Sequence, residues 1–154
     1  MIRITVLDER SVAGQNFMDM FVISIVSPYR EHPKIEGSNV WRFHFHDITE
    51  EYLVKDQIFR PMGKEIAESI ADLAMKNRDS DRWVIHCEAG ISRSPGVAIG
   101  LAKYIKTIPD RERLIELFPM YNKHVCKLIE DAMQVKIDEV AKELHFLGYN
   151  KEED

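Results

Sequence analysis

Cysteine is scarce in this chain: Cys87 and Cys126 are the only two, and they lie far apart in sequence. Two distant thiols cannot supply the disulfide framework of a small secreted domain, so a reduced, packed fold is expected. Positive charge is also short. With 21 Lys and Arg against 26 Asp and Glu, the formal net charge is −5, which disfavours nucleic acid as a partner. No apolar run approaches a membrane span, so no membrane association is expected. Repeats, low-complexity tracts and Gly/Ser linkers are missing, which speaks against tethered domains. The opening Met1-Ile2-Arg3-Ile4 becomes charged too soon for a secretory leader, and a cytoplasmic location is expected. The expectation is one domain over residues 1–150, acting as a monomer, with a flexible tail at 151–154.

What is present is an alternation of short apolar runs and helical periodicities. Strands are predicted at 2–7, at 21–26 before Ser27-Pro28, at 40–46, and at 83–86 leading into Cys87. Ile66, Ile70, Leu73 and Ala74 recur at helical spacing after Pro61, which suits a first helical turn. Residues 94–106 carry no charge before Lys103, as a helix buried nearly all round would. A short helix over 111–118 and one or two long C-terminal helices complete the pattern. This predicts an α/β fold: a central, mostly parallel sheet flanked by helices, with a helical C-terminal part.

The segment His86-Cys87-Glu88-Ala89-Gly90-Ile91-Ser92-Arg93-Ser94-Pro95 carries the chemistry. A buried strand ends at His86, and Ser94 as N-cap with Pro95 at the first helical position would start a helix. The loop between must turn tightly at a helix N-terminus, directing backbone N–H groups of Glu88, Ala89, Gly90, Ile91 and Ser92 toward an anion. Gly90 gives the freedom to curl. Arg93 adds a planar fork able to hold two oxygens of a phosphate. Cys87 sits at the base, where oriented donors and a guanidinium favour thiolate over thiol. His86 can brace the loop, and Ser94 can donate to the thiolate as it leaves.

His-Cys, five residues, Arg and then Ser resembles the signature of the cysteine-based protein tyrosine phosphatase superfamily. With Ala89-Gly90 before Ile91-Ser92-Arg93-Ser94, it is most similar to the small dual-specificity-like branch of bacterial and phage type. The resemblance implies a protein tyrosine phosphatase-like fold over roughly residues 20–130 and hydrolysis of phosphate monoesters through a phosphocysteine on Cys87, without metal or other cofactor. The substrate would be a phosphorylated protein or a small phosphoester, with phosphotyrosine ahead of phosphoserine or phosphothreonine. A loop with Glu88, Ala89 and Ile91 in place of basic residues argues against phosphoinositides and RNA triphosphates.

The superfamily draws its general acid from a neighbouring loop. Asp79 and Asp81 precede the 83–86 strand, at the wrong end. Asp47 follows the 40–46 strand, and His46-Asp47-Ile48-Thr49 is similar to the acid-bearing loop, so Asp47 leads. The separation of Asp47 from Cys87 implies an inserted loop over 50–59, which keeps Asp56 and Glu51 in contention, with Asp8 a remote third. His44 and His46 share a strand face, but nothing completes a metal set; His44 is expected under a helix. Trp41, Phe43 and Phe45 read as core. Cys126, on an apolar helical face, reads as buried and inert. Asn122 and His124, after Pro119, resemble a late segment of the bacterial branch and are given no catalytic role. Rival readings are a phosphotyrosine-binding pseudophosphatase, a rhodanese-type sulfurtransferase and an arsenate reductase, the last needing a resolving thiol that Cys126 suits poorly.

Overall fold

A computed structural model describes residues 1–148; the tail expected at 151–154 lies outside the described residues. In chain order the elements are β1 (Ile2–Leu7), α1 (Glu9–Val12), β2 (Phe21–Val26), β3 (Val40–His44), β4 (Tyr52–Val54) and β5 (Gln57–Phe59). They continue with α2 (Lys64–Lys76), β6 (Arg82–His86), α3 (Arg93–Ala102), β7 (Thr107–Ile108), α4 (Arg111–Leu117) and α5 (Lys123–Phe146). Five strands form one sheet in the order β3-β2-β6-β1-β7, and every neighbouring pair is parallel. The chain is thus an α/β protein with a parallel sheet, flanking helices and a long C-terminal helix.

Alternation along each strand divides the core in two. Phe21, Ile23 and Ile25 of β2 join Ile4, Trp83 and Ile85 beneath α2, α3 and α5. Val22 and Val84 face the other way, into a small cluster with Val12 and Ile35. Coverage on both faces explains why β2 is an unbroken apolar run apart from Ser24 and is buried at every position. Each large aliphatic side chain buried there contributes about 1.5–3 kcal/mol. α3 is enclosed as the run after Arg93 predicts, with Arg93 through Leu101 all buried, but it ends at Ala102 rather than residue 106, where Lys103 and Lys106 are exposed. Its principal neighbour is α5, which also packs along α2.

Several local expectations are corrected. β3 stops at His44 rather than residue 46, where the chain leaves the sheet. It is an edge strand, so Trp41 is exposed, Phe43 is only partly buried, and Phe45 alone of the three is buried. His44 is likewise exposed instead of lying under a helix; it bonds the Arg30 carbonyl at 3.1 Å. Pro61 stands outside α2, which is preceded by Gly63 at the N-cap. α3 begins at Arg93 with Ser92, not Ser94, at its N-cap, and Ser92 makes no side-chain capping bond. The inserted segment over 50–59 is the antiparallel β4–β5 hairpin, turned by Lys55 and Asp56 at positive φ. α1 and β7 carry too few residues for a periodic signal.

α3 passes so near the start of α5 that Gly96 has no room for a methyl group. A Cβ there would lie 2.8 Å from the Asn122 carbonyl oxygen and 3.1 Å from Val125 Cγ1. Gly96→Ala should therefore cost about 1–3 kcal/mol through overpacking. Urea titration should show a lower midpoint at unchanged slope. A wild-type midpoint would show that α5 shifts aside freely.

Candidate active site

The end of β6 and the start of α3 leave residues 87–92 to turn at the C-terminal edge of the parallel sheet, where α/β sites form. Cys87 is buried at the base of that turn. Its Sγ accepts the Gly90 N–H at 3.2 Å and lies 3.1 Å from Ser94 Oγ. Gly90 is required twice over. Its φ is +70°, and a Cβ would sit 2.8 Å from the Asp8 nitrogen, so the turn lies directly on the end of β1. The Glu9 N–H also donates to the Glu88 carbonyl, tying the turn to α1.

Arg93 reaches back under the loop and is buried. Its Nη1 donates to the Phe45 carbonyl at 2.9 Å and to Ser27 Oγ at 3.1 Å, and Nη2 lies 3.4 Å from Glu88 Oε1. Nε is buried with no hydrogen-bond partner. Such a donor in the interior is costly unless an acceptor meets it. The Glu88 side chain is committed to structure: it accepts the Ser27 N–H at 2.8 Å and pairs with Arg30 at 2.6 Å. Burial works against its charge, but the Ser27 donors and the Arg93 and Arg30 cations hold its carboxyl down at about 2. Only the main chain of Glu88 therefore belongs to the turn. Ala89 and Ile91 are exposed on the rim.

Asp47 comes to the same edge. Its Oδ1 accepts the Ser92 hydroxyl at 2.7 Å and the Asn122 amide at 3.0 Å. Oδ2 takes no hydrogen bond among the described residues, and the carboxyl is exposed. Asp47, Ser92, Tyr121 and Asn122 line a groove of about 470 Å³. A larger groove of about 640 Å³ is bordered by Phe45, His46 and the hairpin residue Asp56. Two of the other carboxylates are engaged elsewhere: Glu51 pairs with Arg60 at 3.5 Å and Asp8 caps α1, whereas Asp56, at the hairpin turn, is exposed on the border of the larger groove. The Ser11 hydrogen bonds hold Asp8 below the usual carboxylate range, the wrong direction for a proton donor.

Behind the loop, His86 Nδ1 lies 3.3 Å from the Cys87 carbonyl oxygen and its Nε2 meets Ser24 Oγ. Ser24 Oγ in turn lies 2.7 Å from His32 Nδ1. Burial lowers the affinity of His86 for a proton. Burial, with the nearby His44, Arg42 and His86, pushes His32 down to about 4. The second thiol is different in kind: burial and the Glu130 carboxylate push Cys126 up to about 12.

Sequence reasoning did not find Ser24, Ser27, Arg30, His32 or the part played by Asn122. Ser27 was visible as a strand end, and Asn122 as an amide at the N-cap of α5; the others gave no sequence signal. Among the described residues no group of three or more His, Cys, Asp or Glu is placed to hold a metal, and no helix is long and apolar enough to cross a membrane. No family model, curated protein or solved structure matches the chain.

The neutral imidazoles fix a pH dependence of stability. His32 has an ordinary value of 6.5 and a folded value of about 4, so between the two the unfolded chain binds a proton that the folded chain refuses. Its contribution is complete above about pH 6.5 and declines as the pH falls toward 4, with His86 acting in the same sense. Glu88, at about 2 against an ordinary 4.5, loses its share in the lower window between those values. The urea midpoint should fall in two stages on acidification. His32→Asn should lessen the first and Glu88→Gln the second. A midpoint flat across the upper window would contradict neutral imidazoles.

Proposed function

We propose that this protein is a cysteine-dependent phosphomonoesterase with a protein tyrosine phosphatase-like fold. The observation that carries the reading is the buried, unpartnered Nε–H of Arg93, in the same loop whose Cys87 Sγ accepts a backbone N–H. A loop that buries a guanidinium edge and a nucleophilic sulfur together suits a tetrahedral oxyanion at the N-terminus of α3. Its substrate would be a phosphotyrosyl protein or a small aryl phosphate, with phosphoseryl and phosphothreonyl esters as further substrates. The expected setting is a cytoplasmic monomer.

The steps follow from the groups present. Cys87 thiolate attacks phosphorus while the bond to the leaving oxygen breaks, and Asp47 in its acid form gives that oxygen a proton. Pinning Oδ1 through Ser92 and Asn122 leaves Oδ2 to carry that proton toward the adjoining groove. Arg93 and the loop N–H groups hold the three non-bridging oxygens as charge redistributes. In the second step Asp47, now ionised, takes a proton from water, whose oxygen attacks phosphorus. The S–P bond breaks, and the Ser94 hydroxyl, 3.1 Å from Sγ, donates to the departing thiolate. Phosphate and an alcohol or phenol are the products. A resolving thiol for arsenate reduction finds no support in Cys126, which is buried and hydrogen-bonded to Glu130 at 3.3 Å.

The test is turnover of para-nitrophenyl phosphate with vanadate as inhibitor. Cys87→Ser should abolish turnover with the fold intact, and Arg93→Lys should lose most of it because a point charge cannot replace the fork. Asp47→Asn should slow tyrosyl phosphate by about 10²–10⁴-fold, and para-nitrophenyl phosphate, with its better leaving group, much less. Turnover surviving in Cys87→Ser would overturn the nucleophile. The leaving-group signature in Asp56→Asn instead would overturn the acid.

A further inference from the structure

Ser24 and His86 are register partners on β2 and β6, on the sheet face away from the main core. The hydrogens along this chain of groups can be assigned. A carbonyl oxygen can only accept, so His86 Nδ1, 3.3 Å from the Cys87 carbonyl, carries the hydrogen. A neutral imidazole then has a lone pair on Nε2, which takes the single Ser24 hydroxyl hydrogen. Ser24 Oγ, its hydrogen spent, accepts from His32 Nδ1–H at 2.7 Å. His32 Nε2, buried without a partner, is then a bare lone pair, which costs less there than an unpaired N–H of a charged ring. Every hydrogen in the chain points toward the Cys87 loop.

We propose that His32 and Ser24 are positioning residues for the reaction: acting through His86, they fix the Cys87 carbonyl and so the turn that aims the loop donors at Cys87 Sγ. The inference rests on reading Cys87 as the nucleophile. If Ser24 is removed, His86 can place its hydrogen on Nε2, and a lone pair on Nδ1 would face the Cys87 carbonyl and repel it. Protonation of His86 would turn the Ser24 hydroxyl away in the same manner. The groups facing His32 are His44, edge-on at 4.5 Å, Arg42 and His86; those facing His86 include Glu9, Asp8 and Arg93.

Long-range ¹H–¹⁵N spectra of the full chain read both tautomers without requiring turnover. His86 and His32 should each carry the hydrogen on Nδ1, and Ser24→Ala should move part of the His86 population to Nε2–H. In parallel, kcat and KM for para-nitrophenyl phosphate and the rate of Cys87 alkylation by iodoacetamide are followed against pH in wild type, His32→Phe and His32→Asn. The Phe variant should lose about tenfold in kcat and in alkylation rate near neutral pH, with KM changed by less than about twofold. Asparagine sets an amide N–H near the Nδ1 position and should recover most of both. An Nε2–H tautomer for His86 in wild type, a His86 tautomer indifferent to Ser24→Ala, or wild-type alkylation in His32→Phe would each overturn the proposal. If the wild type turns over no phosphate ester, the phosphatase reading fails while tautomer and alkylation still decide the positioning role. If His32→Phe does not fold, the tautomer response to Ser24→Ala decides it.

Discussion

Burying a guanidinium costs several kcal/mol unless its hydrogens and charge are met, and the Nη atoms of Arg93 are met from three directions while its Nε–H is left open. The Phe45 carbonyl beyond β3, the Ser27 hydroxyl beyond β2 and the Glu88 carboxylate inside the loop converge on it. One side chain thus holds together the ends of two strands and the turn that follows a third. Glu88 extends the arrangement outward to Arg30, and Arg30 reaches Glu9 at 3.2 Å. Replacing any one of these groups would leave another charge buried with fewer partners. The charge of Glu88 is therefore better understood as support for Arg93 than as a contact for substrate.

Local helix rules give way where the loop needs their side chains. Ser92 occupies the N-cap of α3 yet makes no capping bond, since its hydroxyl is directed to Asp47. Ser94, the better cap by sequence context, is turned inward to Cys87. The N-terminus of α3 keeps its backbone donors uncapped at the place where an anion would sit. Asn122 works in both senses at once. It caps α5 through the Val125 N–H at 3.0 Å, and its amide holds Asp47 and the Ile48 carbonyl. The close α3–α5 packing that excludes a Cβ at Gly96 is what brings Asn122 to Ser92, whose carbonyl accepts the Asn122 N–H at 2.9 Å.

Two grooves of different chemistry border the segment from Phe45 to Asp47. The one with Asp47, Ser92 and Asn122 presents the free carboxylate oxygen; the one with His46 and the hairpin is walled by mixed apolar and polar groups. His46 ties the hairpin to β3, its ring meeting Phe59 at a tilt with centroids 4.6 Å apart and accepting the Arg60 N–H at 3.2 Å. The hairpin thereby walls the larger groove, with Asp56 on its border.

Much of the fold was legible from pattern alone. Period-two or continuous apolar runs located β1, β2 and β6, and the uncharged stretch after Cys87 announced a buried α3, because burial on both sides selects residue type directly. Gly90 was legible too, since a tight turn between a buried strand and a helix favours glycine at positive φ, and Cys87 and Arg93 stood out by their spacing around it. Asp47 was read from its place after an edge strand; tertiary contacts then engage Glu51 and Asp8 and bring Asp47 to Ser92 of the loop, while Asp56 stays exposed on the hairpin. The exposure of Trp41 and His44 followed from sheet order, which no local pattern encodes. His32, Ser24 and Asn122 belong to the site only because register and helix packing join positions 8 to 75 residues apart. Residue type and spacing marked the loop and its two flanking elements; the partners that hold it in place were decided by parallel register and interior packing, where contacts are set by distance in space.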